Sequence, residues 1–153
     1  MTDRTLEHRL QQLEDRVAIK EIVDTFSNLA DVKDIAAQMY LFTENAVVET
    51  YMDGQLFARM TGRAEIAAVF SSFIANFDAM YHMNGQLLIG LNGDHATGQH
   101  YCQVALIATA GAKKTLNSNG VIYRDTYVRT ADGWKISERI ARFTWRNTAE
   151  MSA

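Results

Sequence analysis

The sequence predicts an α+β fold in which a curved antiparallel sheet wraps around three N-terminal helices and leaves an internal pocket between the two layers. Three observations predict it. Apolar residues recur at helical spacing in three stretches up to about residue 78. Beyond residue 79 the chain reads as four long runs rich in β-branched and aromatic residues, separated by short Gly, Asn and Asp turns. No linker, internal repeat or low-complexity stretch divides the 153 residues, so one domain over residues 1–153 is expected.

Leu6, Leu10, Leu13, Val17, Ile19, Ile22, Val23, Phe26 and Leu29 fall largely three and four apart, which marks one amphipathic helix over residues 6–29. Ala30-Asp31-Val32-Lys33-Asp34 interrupts it and puts Asp31 at a helix-to-helix corner. Asp34 is placed to cap a short second helix, residues 35–42, by accepting hydrogen bonds from its first free amides. Residues 46–51 and 56–61 flank the turn Met52-Asp53-Gly54-Gln55 and read as a hairpin. Gly62-Arg63-Ala64-Glu65 then opens a third helix reaching about Asp78, with Ile66, Val69, Phe70, Phe73, Ile74 and Phe77 on its apolar side. The four strands that follow span residues 80–91, 96–110, 115–130 and 134–145. Strands so much longer than the usual ~5–6 residues are expected to coil and bend around the helices.

Composition narrows the function. Apolar residues make up 48% and charged residues 22%, which suits a folded globular chain. A net charge of −3, with 15 Lys and Arg scattered along the chain, offers no field for nucleic acid. The single cysteine, Cys102, excludes an intrachain disulfide and a multi-thiolate zinc site. The start MTDRTLEHRLQQLEDR is too polar for a signal peptide, and no apolar run approaches the ~20 residues of a membrane span. A cytoplasmic protein without membrane or nucleic-acid partners is therefore expected. His8, His82, His95 and His100 lack the i, i+4 spacing of a helical metal site, so no metal is expected. The chain has no Gly-x-Gly-x-x-Gly after a strand, no Walker loop and no Gly-x-Ser-x-Gly elbow, which removes the common nucleotide-binding and serine-hydrolase readings.

The order helix, helix, hairpin, helix and four long strands resembles the cone-shaped NTF2-like fold. Four local patterns are similar to its SnoaL-like branch: the corner Leu29-Ala30-Asp31, the strand entry Leu41-Phe42-Thr43-Glu44-Asn45-Ala46-Val47, the helix start Thr61-Gly62-Arg63-Ala64-Glu65-Ile66, and Asp125-Thr126-Tyr127-Val128-Arg129 followed by Asp132-Gly133-Trp134-Lys135-Ile136. Within that branch the chain resembles scytalone dehydratase and hexachlorocyclohexane dehydrochlorinase, which use an Asp and His pair to remove a proton next to a leaving group. Asp31 and His82 match that pair by position. His100 resembles the dehydratase's second histidine, whereas Phe26 stands where the dehydrochlorinase has a lysine. The resemblance implies a cofactor-free lyase or isomerase acting on a small hydrophobic ring compound, in a homo-oligomer, dimer or trimer. A non-catalytic small-molecule-binding or assembly domain, or the small subunit of a ring-hydroxylating dioxygenase, would share the fold.

In the catalytic reading, His82 accepts a proton while the Asp31 carboxylate orients the ring and stabilises the imidazolium. In the structural reading, Asp31 caps the second helix and His82 is a core histidine bonded to a carbonyl. Tyr51, His100 and Asn119 are the candidates for binding substrate oxygen in an apolar pocket. Arg124, Asp125 and Arg129 read as cross-strand charge pairs, and Arg139, Arg142 and Arg146 as solvated or at a subunit contact. Met39, Met52, Met60, Met80 and Met83, with Phe26, Phe42, Phe57, Phe70, Phe73 and Phe77, supply a deformable apolar lining.

Overall fold

A computed structural model describes residues 5–152; residues 1–4 and 153 of the expected domain lie outside the described residues. Three helices precede or interrupt a six-stranded sheet: α1 (Leu6–Asp31), α2 (Ile35–Met39), β1 (Phe42–Met52), β2 (Gln55–Thr61), α3 (Arg63–Ile74), β3 (Ala79–Asn92), β4 (His95–Ala110), β5 (Lys113–Thr130) and β6 (Gly133–Glu150). The sheet order is β2-β1-β6-β5-β4-β3. This is the curved sheet around helices that the sequence predicts.

The second helix and one strand pairing differ from the expectation. The short second helix stops at Met39, and Phe42 already belongs to β1. There the Arg63 side chain donates to the Phe42 carbonyl and Ile136 N–H donates to the Leu41 carbonyl at 2.8 Å, so these carbonyls serve the sheet and the third helix instead. The second difference is that β1 pairs with β6 in parallel, which closes the hairpin onto the last strand; the other pairings are antiparallel. No local signal in the sequence distinguishes that long-range pairing.

α1 is fixed to the sheet at both ends of its buried face. Near its start the buried Asp15 carboxylate accepts from both Arg129 terminal nitrogens at 2.9 and 2.8 Å and from the Trp134 indole at 3.0 Å. The Arg129 bonds hold the Asp15 carboxyl below its usual range. Further along, Asn84 on β3 donates to the Asp24 carboxylate at 3.1 Å and to the Val23 carbonyl at 3.3 Å, and accepts from Ser27 Oγ at 3.1 Å. Between these anchors Ile19, Ile22, Val23 and Phe26 pack with Met39, Phe42, Tyr127, Trp134 and Ile136 in the larger core. A second cluster, Ala30, Met80, Cys102, Val104, Leu106, Val121, Tyr123 and Ala141, lies at the C-terminal end of α1. Among the described residues no helix is long and apolar enough to cross a membrane.

Candidate active site

Asp24, Ser27 and Asp31 fall on one face of α1, at i, i+3 and i+7, and they meet Asn84 and His82, which share one face of β3. The Asn84 bonds therefore set the helix against the strand one to two turns before Asp31 arrives beside His82. One Asp31 oxygen, Oδ2, accepts from the His82 backbone N–H at 3.1 Å, and Oδ1 lies 2.6 Å from His82 Nδ1. An ionised carboxylate has no proton to give, so the ring donates through Nδ1–H. In the neutral ring that leaves Nε2 as the basic nitrogen. Asp31 does not cap α2: the Asp34 side chain does so, accepting from Ala37 N–H at 2.9 Å.

His82 lines a cavity of about 140 Å³ between the helices and the sheet. Phe26, Val48, Met52, Met60, Phe70, Phe73, Met80, Val104, Leu106 and Phe143 make its walls, with Phe57 also lining it. Of the expected apolar lining, Met39 and Phe42 instead belong to the core, and Met83 is exposed. That volume is close to the ~150 Å³ at which an apolar cavity takes up benzene, so it suits a single ring.

The three expected substrate-binding residues lie elsewhere. Val48, Thr50 and Met52 of β1 line the cavity, so strand alternation turns Tyr51 to the outer face. There its hydroxyl donates to Glu49 at 2.9 Å, and Arg142 lies 4.4 Å over its ring. Asn119 is buried on β5, where its amide donates to the Val104 and Asn117 carbonyls at 3.2 and 3.3 Å; it lines a neighbouring depression with Asn117, Phe77 and Arg146. His100 is buried outside the cavity lining and stacks on Tyr123 at 4.7 Å between centroids. Its Nδ1 lies 4.0 Å from Asp125, beyond hydrogen-bond reach. Burial, reinforced by Arg139, pushes the His100 pKa down to about 4, which keeps the ring neutral near neutral pH.

Two lining residues outside the sequence candidates carry the cavity's polar chemistry. Arg139 is 1% exposed, which corrects the solvated or subunit-contact reading. Its Nε and Nη2 donate to Asp125 at 2.8 and 2.7 Å, and Tyr127 donates to the same carboxylate at 2.8 Å. The Phe26 and Tyr123 rings sandwich the guanidinium at 4.2 and 4.6 Å. The reason is a bulge: Tyr127 pairs with Ile136 but Thr126 pairs with Glu138, so Ser137 is an extra residue and the inward parity of β6 flips before Arg139. Gln38, on α2, is equally buried, and its amide donates to the Phe26 carbonyl at 2.9 Å. Cys102 is buried too, and burial pushes its thiol up to about 11, away from nucleophilic use. Among the described residues no group of three His, Cys, Asp or Glu side chains is placed to hold a metal ion.

Comparison with known proteins places the chain in a family and matches its fold. Residues 11–140 match the family described as SnoaL-like domain. An uncharacterised protein of Mycobacterium tuberculosis is 28% identical over 130 residues, spanning 84% of this chain and 85% of the relative. An NTF2-like protein with a cystatin-like fold from Novosphingobium aromaticivorans is 29% identical, with a TM-score of 0.73 over 94% of this chain and 92% of that one. A proposed scytalone dehydratase from the same organism is 20% identical with a TM-score of 0.75, covering 93% and 91%, a likeness of fold alone.

Proposed function

This chain belongs to the SnoaL-like domain family, and from that premise we propose that it is a cofactor-free lyase or isomerase acting on a small hydrophobic ring compound. The observation that carries the reading is the 2.6 Å contact between Asp31 Oδ1 and His82 Nδ1 at the wall of an apolar, ring-sized cavity. The same fold carries a protein described as a proposed scytalone dehydratase, so the architecture suits this reading.

In this reading His82 Nε2 removes a proton from a carbon next to a carbonyl or a leaving group. Asp31 holds the other ring nitrogen, fixes the tautomer and stabilises the imidazolium that forms. Arg139, whose Nη1 has no hydrogen-bond partner among the described residues, donates to the oxygen that gains charge. The proton then returns either to the departing group, which gives dehydration, or to another carbon, which gives isomerisation. The apolar walls keep bulk water from the carbanion-like intermediate. The expected partners are that ring compound and further copies of the same chain, with neither nucleic acid nor membrane.

The test is solvent exchange. Cyclic ketones incubated with the protein in D₂O should incorporate deuterium next to the carbonyl, read by mass spectrometry. His82→Gln and Asp31→Asn should each abolish most of it. Ring compounds that bind without exchange in the wild type would favour a non-catalytic binding domain. Exchange that survives His82→Gln would remove His82 as the base.

A further inference from the structure

We propose that the compound taken by this cavity carries a hydroxyl group on its ring, which donates to Gln38 Oε1 and accepts from Arg139 Nη1. The inference rests on the cavity being the substrate site described above. Gln38 and Arg139 both line it, both are 1% exposed, and each keeps one polar atom, Oε1 and Nη1, without a hydrogen-bond partner among the described residues.

The orientation of both groups is fixed. The Gln38 amide nitrogen is committed to the Phe26 carbonyl, so Oε1 is the acceptor left over. Arg139 spends Nε and Nη2 on Asp125, so Nη1 is the donor left over. Both side chains touch Phe26, one at its carbonyl and the other over its ring at 4.2 Å, and both belong to the lining of the same cavity.

Buried polar atoms left unpaired are costly, so the ligand that restores both bonds is favoured over one that restores neither. A hydrocarbon or halogenated ring restores neither. A ketone or ether oxygen serves Arg139 and leaves Gln38 unpaired. A carboxylate serves Arg139 but sets its lone pairs against Gln38 Oε1. A hydroxyl both donates and accepts, and so matches the pair.

Calorimetric binding of 4-methylphenol, 4-methylanisole and toluene separates these contributions. The wild type should bind the phenol about tenfold more tightly than the anisole, and the anisole more tightly than toluene. Gln38→Met should abolish the first difference and keep the second. His82→Gln and Asp31→Asn should keep the order, so a failure of the acid/base reading would leave this one standing. Equal wild-type affinities, no binding of any of the three, or a phenol preference that survives Gln38→Met would each overturn it; the wild-type series decides the matter even if Gln38→Met does not fold.

A different surface carries a second inference. We infer that two copies of the chain pair in parallel along the first half of α1. Leu6, Leu10, Leu13 and Val17 follow one another at spacings of four, three and four, and they are between 53% and 77% exposed. The opposite face, with Asp15, Ile19 and Ile22, packs on the domain. That spacing is a coiled-coil seam. Glu7 and Glu14 border it on one side, and Arg9 and Arg16 on the other.

In a parallel pair Arg9 faces Glu14 of the second copy, whereas an antiparallel pair sets Arg against Arg and Glu against Glu. Arg16 donates to the Ile89 carbonyl of its own domain at 2.8 Å, so Arg9 and Glu14 carry the recognition. The seam ends where Lys20 and Asp24 occupy its next positions and pair with each other.

Sedimentation equilibrium should show a dimer. Leu10→Lys with Leu13→Lys should give a monomer of unchanged circular dichroism, because both side chains are exposed. Arg9→Glu and Glu14→Arg should each weaken the dimer, and the double exchange should restore it. A wild-type monomer at about 100 µM, where an association with Kd of micromolar order would be nearly complete, a dimer untouched by the lysines, or a double exchange that restores nothing would overturn the proposal.

Discussion

Asp31 and His82, 51 residues apart in sequence, share two contacts: the carboxylate takes the His82 backbone N–H at 3.1 Å and its ring Nδ1 at 2.6 Å. The double contact fixes both the position and the rotation of the imidazole. Asp31→Asn keeps the shape but removes the charge that stabilises the imidazolium. Deuterium exchange into a cyclic ketone should fall by about 10²–10⁴-fold, with the affinity for the ring compound changed much less. An equal loss in affinity would mean that Asp31 shapes the cavity instead.

Asn84 should act on the same chemistry from a distance. Asn84→Ala removes its bonds to Asp24, Val23 and Ser27, which set α1 against β3. Exchange should drop about 10-fold, within the range that small misplacements of a catalytic group cost, while His82→Gln combined with Asn84→Ala should be no slower than His82→Gln alone. Additive losses in the double variant would argue that Asn84 acts independently of the histidine.

His100 should make stability depend on pH. Burial and the nearby Arg139 lower its pKa from 6.5 to about 4. The unfolded chain therefore takes up a proton in that window that the folded protein does not. Stability falls as pH drops from about 6.5 towards 4, by up to about 3 kcal/mol. His100→Phe retains a ring against Tyr123 and should flatten the slope between pH 6.5 and 5, measured by urea denaturation. An unchanged slope would contradict the buried neutral histidine.

The Asp125 and Arg139 pair is nearly solvent-free, so removing one partner strands the other charge. Asp125→Asn should cost about 3–5 kcal/mol of folding stability, as should Arg139→Met. The double variant should cost less than the sum, since no uncompensated charge remains. Denaturant midpoints of the three variants measure this, and strict additivity would show that the two groups do not depend on each other.

Cys102 should be inert in the folded protein. With its thiol pushed up to about 11 and buried, a disulfide reagent at pH 8 should label it slowly in buffer and rapidly in urea. Rapid labelling of the folded protein would mean that β4 opens readily.

Most of the fold is written in local patterns. The three-and-four spacing along α1, the Asp34 cap and the glycine turns each act over a few residues, so element order follows from the sequence. The parallel pairing of β1 with β6 joins segments about 90 residues apart, and no local preference encodes it. The site divides in the same way. The pairing of Asp31 with His82 is carried by family resemblance, because nothing near either residue names its partner. Arg139 is hidden by the bulge at Ser137: strict alternation from Trp134 and Ile136 turns it outward, and one extra residue turns it in. Tyr51 illustrates the converse, since Thr50 and Met52 face the cavity and leave it outside. Gln38 has a weaker signal, a polar residue on the otherwise apolar helix Ile35–Met39.

The most direct measurement is ¹⁵N NMR of the His82 ring at alkaline pH, in the wild type and in Asp31→Asn, with and without a ring ligand. A proton on Nδ1, a bare Nε2 whose resonance moves when the ligand enters, and loss of that tautomer preference in Asp31→Asn are expected. A proton found on Nε2 in the wild type, or a ring indifferent to both the substitution and the ligand, would contradict His82 as the base oriented by Asp31.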